Sequence, residues 1–185
     1  MFVLAVIYEN CTGCHLCELA CSFKHHGVFD LSLSRITILT KPEVQTSVQV
    51  YCLQCRDAAC ERVCPMDAIS RDRNGAYIIN YDRCIGCREC AYACPFGAIS
   101  FEVEARPIKC DLCGGEPECV AVCPHDAIVY MEEKKAAREL KKAKAAGVAY
   151  GLYGGKETSE HPRKKAEEAV EYLMKLVEKS GELDV

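Results

Sequence analysis

Cys52-Leu-Gln-Cys55-Arg-Asp-Ala-Ala-Cys60-Glu-Arg-Val-Cys64-Pro65, followed by Cys84-Ile-Gly-Cys87-Arg-Glu-Cys90-Ala-Tyr-Ala-Cys94-Pro95, is the stretch that decides the fold of this chain. Its second half is the run C-x2-C-x2-C-x3-C-P without a mismatch. In such a run three close cysteines wrap one corner of an iron–sulfur cubane, and the fourth, followed by proline, ligates the other cluster of a pair. The first half is the same run with two extra residues before its third cysteine. Together the halves predict a module that holds two [4Fe–4S] clusters.

Working outward, all sixteen cysteines of the 185-residue chain fall into four such quartets. The first is Cys11, Cys14, Cys17 and Cys21, and the last is Cys110, Cys113, Cys119 and Cys123. No cysteine is left over, and this arithmetic is the strongest signal in the sequence. So many cysteines could also serve disulfides or zinc. Disulfide frameworks belong to secreted chains, and the opening Met-Phe-Val-Leu-Ala-Val-Ile-Tyr has neither a basic start nor a cleavage site before Cys11. The chain is therefore expected to be cytoplasmic and reduced. Zinc needs four ligands converging on one point, commonly two C-x2-C knuckles across a longer gap. Here three close cysteines are followed at once by a fourth, which suits cubanes. No apolar run approaches the roughly 18 residues of a membrane span. A net charge of −4 argues against nucleic acid as partner.

The gaps between quartets bear on which of them exchange their fourth cysteine. Nineteen residues separate Cys64 from Cys84, fifteen separate Cys94 from Cys110, and thirty separate Cys21 from Cys52. The nineteen-residue gap contains Asn74-Gly75, a strong hairpin turn, as in an ordinary two-cluster ferredoxin. Quartets two and three then form an inner module, and one and four are left for an outer one. The expected ligand sets are Cys11, Cys14, Cys17 with Cys123; Cys110, Cys113, Cys119 with Cys21; Cys52, Cys55, Cys60 with Cys94; and Cys84, Cys87, Cys90 with Cys64. Sequential pairing, one with two and three with four, is the alternative.

The rest of the chain reads as short elements around these loops. Residues 2–8 are a strand. Arg35–Thr40 and Val44–Tyr51 are β-branched runs forming a hairpin, with Lys41-Pro42-Glu43 as its turn. Ala68-Ile-Ser, Ala76-Tyr-Ile-Ile, Ala98-Ile-Ser-Phe-Glu-Val and Ala127-Ile-Val-Tyr are further strands. Cys-Pro-x-x-Ala-Ile occurs three times, an internal repeat that the first quartet lacks, since Ser22 stands in the place of proline. Residues 131–146, rich in Lys, Glu and Ala, are expected to be helical with a thin apolar face, and Val148–Gly155 to be a glycine-broken loop. A second helix starts near His161-Pro162 and carries the stripe Ala166, Ala169, Val170, Leu173, Leu176 and Val177. The domains are thus 1–130, a four-cluster domain (outer module 1–30 and 105–130, inner module 50–104, inserted hairpin 31–51), and 131–185, a helical C-terminal arm. The arm is expected to dock on a partner, with packing on its own body as the other reading.

His15, His25, His26 and His125 lie near quartets, yet no quartet lacks a cysteine. Packing, or hydrogen bonding near a cluster, is their expected role. Gly13 and Gly86, in Cys-x-Gly-Cys, are expected to let the backbone hug its cluster. Lys134, Lys135, Lys141, Lys142 and Lys144 read as a solvated helix face. With four thiolates per cubane no iron is open to substrate, and no catalytic constellation or nucleotide loop is present. The site does electron transfer and is not itself an enzyme's active centre.

At these motifs the chain resembles the four-cluster ferredoxin-like subunits of molybdopterin and tungstopterin oxidoreductases, such as those of dimethyl sulfoxide reductase, formate dehydrogenase and nitrate reductase. Similar proteins accompany carbon monoxide dehydrogenase and hydrogenases. The resemblance covers about residues 1–130 and implies the nested pairing, one with four and two with three. The short loop Cys113-Gly-Gly-Glu-Pro-Glu-Cys119 stands where dimethyl sulfoxide reductase-type subunits carry a long insertion, and resembles the small subunits of tungsten aldehyde oxidoreductase-type enzymes. The fold implied is α+β, tandem nested bacterial-type two-cluster ferredoxin modules with a helical C-terminal arm. The function implied is a relay through four [4Fe–4S] clusters between a large tungsten- or molybdenum-pterin catalytic subunit and a ferredoxin or other carrier. A free-standing polyferredoxin, or a zinc-bound interaction module, are the other classes.

Overall fold

The structure, a computed structural model, describes residues 2–41, 46–102, 105–150 and 162–180. Its strands pair as four two-stranded antiparallel sheets. β1 (Phe2–Val6) pairs with β8 (Ile128–Glu132), tying the start of the chain to the segment after the fourth quartet. β2 (Ile36–Lys41) and β3 (Thr46–Tyr51) form the hairpin between quartets one and two. β4 (Ile69–Arg71) pairs with β5 (Tyr77–Ile79) across the Asn74-Gly75 turn, and β6 (Ile99–Phe101) with β7 (Pro107–Lys109).

The hairpin shows how the residue pattern sets register. Ile36 and Ile38 alternate with exposed Thr37 and Leu39, and face Tyr51 and Gln49 across the ladder. A one-residue slip would turn both isoleucines to solvent. The hairpin lies on the first quartet: the Ile38 amide donates to Glu18 Oε1 at 3.0 Å.

Four helices each follow a quartet's second cysteine: α1 (Leu16–His26), α2 (Ala59–Arg62), α3 (Glu89–Tyr92) and α4 (Glu118–Ala121). Proline explains their lengths. Pro65, Pro95 and Pro124 cannot continue a helix, so α2, α3 and α4 have four residues each. Ser22 imposes no such stop, and α1 runs on for 11 residues until Gly27, at φ 68°, ends it with its N–H on the Phe23 carbonyl.

Two cores result. One joins Leu4, Val6, Ile36, Ile38, Leu112 and Ile128 to Cys17, Cys21, Cys110 and Cys119, with α1 against α4. The other joins Ala58, Ile69, Tyr77 and Ile99 to Cys90, with Cys55, Cys60, Cys64 and Cys94 packed on it and α2 against α3. Three-residue strands and four-residue helices are far too short to hold themselves. Their order has to come from whatever the cysteines bind.

The C-terminal arm differs from expectation. Met131 and Glu132 belong to β8, and α5 runs from Glu133 to Tyr150, so Val148–Tyr150 is helix, not loop. The remainder of that loop, with Leu152 and Tyr153, and the hairpin residues 42–45 lie outside the described residues. Lys41, expected in the turn, pairs with Thr46 as the last residue of β2. β7 escaped prediction because Pro107 opens it, and proline speaks against strands except at their first residue. α6 (Pro162–Ser180) leans on its own body at the fourth quartet: Ala169 is 4% exposed, and the Tyr172 hydroxyl donates to Glu118. Lys24 completes that site at 3.0 Å from Glu118. The predicted stripe is therefore split, since Val170 and Val177 stay exposed, and the contact of Ala169 and Tyr172 fits the reading in which the arm packs on its own body. Tyr172→Phe is expected to cost about 1 kcal/mol, read as faster hydrogen exchange across α6 with β4 and β5 unchanged.

Candidate iron–sulfur sites

Each quartet repeats one backbone device. The residue before the second cysteine is left-handed in all four: Gly13 (φ 69°), Gln54 (φ 50°), Gly86 (φ 69°) and Leu112 (φ 59°). That turn folds the loop so that flanking thiols face one point. Glycine does this freely, and other residues pay roughly 1–2 kcal/mol. A Cβ on Gly13 would also stand 2.7 Å from Ser47 Oγ, whereas one on Gly86 meets nothing closer than 3.9 Å. Gly86→Ala should therefore cost about 1 kcal/mol and Gly13→Ala about 2 kcal/mol, read as midpoints of denaturant-driven bleaching. Equal costs would show that the hairpin does not crowd the first loop.

The third cysteine is the second residue of its helix in every quartet: Cys17, Cys60, Cys90 and Cys119. The fourth sits where the helix breaks. Here the Cys-Pro-x-x-Ala repeat acquires a reason. Asp67, Gly97 and Asp126 are left-handed (φ 45°, 62° and 49°), which turns the next amide back toward the sulfur. Ala68, Ala98 and Ala127 donate their N–H to Cys64, Cys94 and Cys123 Sγ at 3.2, 3.5 and 3.2 Å. The alanines are buried, and only a small side chain suits that position. Cys21 has no such turn and takes its N–H from Arg35 at 3.3 Å.

Cys11, Cys14, Cys17 and Cys123 line one cavity, and Cys21, Cys110, Cys113 and Cys119 line another. In the second core, burial raises the Cys55 and Cys60 thiols, and neighbouring Cys52 and Cys94 add to both. Burial pushes Cys90 up to about 11, with Cys60, Cys84 and Cys87 contributing; Cys64 packs on the same core. Burial also raises Cys17, Cys110 and Cys119, and takes Cys113 to about 11. Thiols held so high are protonated at neutral pH. A metal binding them displaces the protons, and binding becomes folding energy.

His25 meets a thiol, its Nε2 lying 3.7 Å from Cys113 Sγ. It also lies 3.4 Å from Asp111, which Arg35 engages at 2.5 Å. Burial, with Arg35, lowers the His25 pKa to about 4, so the ring is neutral and able to hydrogen-bond the sulfur. His15 pairs with Glu18. Lys134, Lys135, Lys141 and Lys142 are exposed.

Sequence reasoning missed two buried polar residues between the cores. Gln54, 1% exposed, donates to the Cys110 carbonyl at 2.9 Å and accepts from the Tyr77 amide at 2.8 Å. Lys109, 2% exposed, donates to the Tyr77 and Cys110 carbonyls, the latter at 2.9 Å. A buried ammonium facing only neutral carbonyls calls for a nearby anion. Anionic thiolate clusters at Cys60 and Cys110 would provide it, so this chain suits such groups.

Three models of 4Fe-4S binding domains match, over residues 8–24, 52–68 and 77–100. The chain is 45% identical over 112 residues to the putative electron transport protein YsaA of Escherichia coli K12, covering 55% of this chain and 69% of that protein. It therefore belongs to the family of ferredoxin-type iron–sulfur electron-transport proteins. It is 37% identical over 94 residues to the formate dehydrogenase iron-sulfur subunit of Wolinella succinogenes, covering 50% of this chain and 47% of that subunit. The chain thus spans about half the length of that second relative. A chain of the active site complex BamBC of benzoyl coenzyme A reductase with benzoyl-CoA aligns over 82% of this chain and 91% of its own, at 27% identity and a TM-score of 0.44.

Proposed function

We propose that the chain is the electron-transfer subunit of an oxidoreductase complex and holds four [4Fe–4S] clusters in two nested modules. The ligand sets are Cys11, Cys14, Cys17 with Cys123; Cys110, Cys113, Cys119 with Cys21; Cys52, Cys55, Cys60 with Cys94; and Cys84, Cys87, Cys90 with Cys64. A [4Fe–4S] cluster takes up and returns one electron. The chain's own residues do the remainder. They saturate the iron with thiolate, donate N–H groups to sulfur at the fourth cysteines, and bury most of the second set.

One observation carries this reading: the four sets adjoin in series. Cys17 and Cys119 share one core with Cys110, Cys52 packs against that same core, and Cys60 packs against the core that holds Cys90. Set one therefore meets set two, two meets three, and three meets four. The two exposed cysteines are Cys14, in the first set of that row, and Cys87, in the last. A row with an exposed cysteine in each end set and none in the middle sets suits a relay between two redox partners. The β1–β8 pairing and the contact of α1 with α4 favour nesting over sequential pairing.

The relative named as a formate dehydrogenase subunit favours a catalytic partner over a free-standing polyferredoxin. The partner class is a molybdo- or tungstopterin enzyme; the short Cys113–Cys119 loop is what favours the tungsten type. A ferredoxin or similar carrier serves the other end. The cytoplasm is the proposed compartment, and no helix among the described residues is long and apolar enough to cross a membrane. Reductive titration of the anaerobic protein should consume about four electrons per chain. A two-electron endpoint would sink the four-cluster reading, and native purification without a large subunit would favour the free-standing form.

A further inference from the structure

We infer that Lys109 is a charge bridge between the halves of the chain, placed to favour extra negative charge on the two central clusters and not on the two at the ends. The inference rests on the four-cluster reading above. Its ground is placement. β7 is buried along its whole length, and Lys109 is its last residue before Cys110. The ammonium is pinned from both sides, by the Tyr77 carbonyl of one core and the Cys110 carbonyl of the other. Gln54 bonds the same two residues through the Tyr77 amide and the Cys110 carbonyl, so the four-residue junction leaves the side chain little freedom.

No salt bridge joins Lys109 to a carboxylate among the described residues, and the Tyr77 ring centroid lies 6.0 Å from Nζ. Burial of a cation without a counterion is strongly unfavourable, so the anion it serves must be close. The thiols that feel its charge are Cys60 and Cys110, the first in the third proposed set and the second in the second. A fixed cation beside two clusters lowers the free energy of whichever has gained an electron. It therefore raises both potentials together and keeps the crossing between modules level. The end sets, with Cys14 and Cys87 open to water, have solvent in its place.

The test is a redox titration of the intact chain followed by electron paramagnetic resonance, comparing wild type with Lys109→Gln and Lys109→Arg. Glutamine keeps a donor for the carbonyls and removes the charge. The expected result is that two of the four clusters become harder to reduce by about tenfold, equivalent to about 59 mV for one electron. The other two hold, and arginine restores wild-type values. No shift, or an equal shift of all four, overturns the inference. If Lys109→Gln assembles without iron, Lys109→Arg decides: iron and wild-type potentials support the charge bridge, and loss of iron with arginine too refutes it. Iron analysis of the wild type keeps the two questions apart. Fewer than four clusters there defeats the underlying reading, whereas four clusters with unmoved potentials in Lys109→Gln defeats only this inference.

Discussion

An anaerobic preparation of the intact chain is expected to contain about 16 iron and about 16 sulfide atoms and to bleach on reduction. On the proposed reading each of the four quartets supplies one cubane. Single cysteine changes then report who ligates what. Cys123→Ala should remove the cluster served by Cys11, Cys14 and Cys17, because Cys123 shares their cavity, and leave about 12 iron atoms. Cys94→Ala should remove the cluster of Cys52, Cys55 and Cys60 and spare the one its own quartet begins. The loss should spread as instability, not as further iron, because each half keeps a second cluster to organise its short helices. If Cys123→Ala instead disturbs the signal assigned to Cys84, Cys87 and Cys90, the modules are paired in sequence. Near eight iron atoms with zinc making up the rest would leave only the inner pair.

What the sequence made legible was whatever repeats. The quartets, the three Cys-Pro-x-x-Ala-Ile runs and the Asn74-Gly75 turn are local patterns, and each corresponds to one local device: a left-handed turn, a helix broken by proline, or a tight hairpin. Gly13 and Gly86 announced the left-handed position through their identity. Gln54 and Leu112 occupy the same position with side chains that hide it, and only the φ values reveal the fourfold repeat. The polar residues between the cores were not legible. Gln54 acts through partners 56 and 23 residues away, and Lys109 reaches across 32 residues to Tyr77; nothing in their own neighbourhoods signals burial. A lysine or glutamine in a polar-looking run is ordinarily at the surface. His25 was only half legible: its nearness to the first quartet was plain, but the thiol it meets, Cys113, comes from the fourth. The arm was legible only in part, for a different reason. Its apolar stripe marks a face that wants covering, but a stripe says nothing of what covers it; Tyr172, beside the stripe, makes the contact that decides.

Gln54→Ala should be the most damaging change outside the cysteines. The side chain is 1% exposed and joins the two cores with both ends of its amide. Alanine would strand the Tyr77 amide and part of the Cys110 carbonyl's bonding, each at about 1–3 kcal/mol, and leave the left-handed backbone strain in place. Lys109 still holds the Cys110 carbonyl, which puts the expected total nearer 3 kcal/mol than the upper limit. Gln54→Gly loses the same bonds but relieves the strain at φ 50°, so it should be milder than alanine by about 1 kcal/mol. Gln54→Glu keeps an acceptor for Tyr77 and sets a carboxylate against the Cys110 carbonyl, which it cannot bond unless protonated. It should recover as the pH falls toward the carboxyl range, while alanine should not. The measurement is loss of visible absorbance against denaturant, followed alongside tyrosine fluorescence. In the wild type the two cores should unfold together. In Gln54→Ala the bleaching should split into two steps, because the residue that makes the halves one cooperative unit is gone. A single unshifted transition would show that β-ladders and helix contacts alone couple the modules.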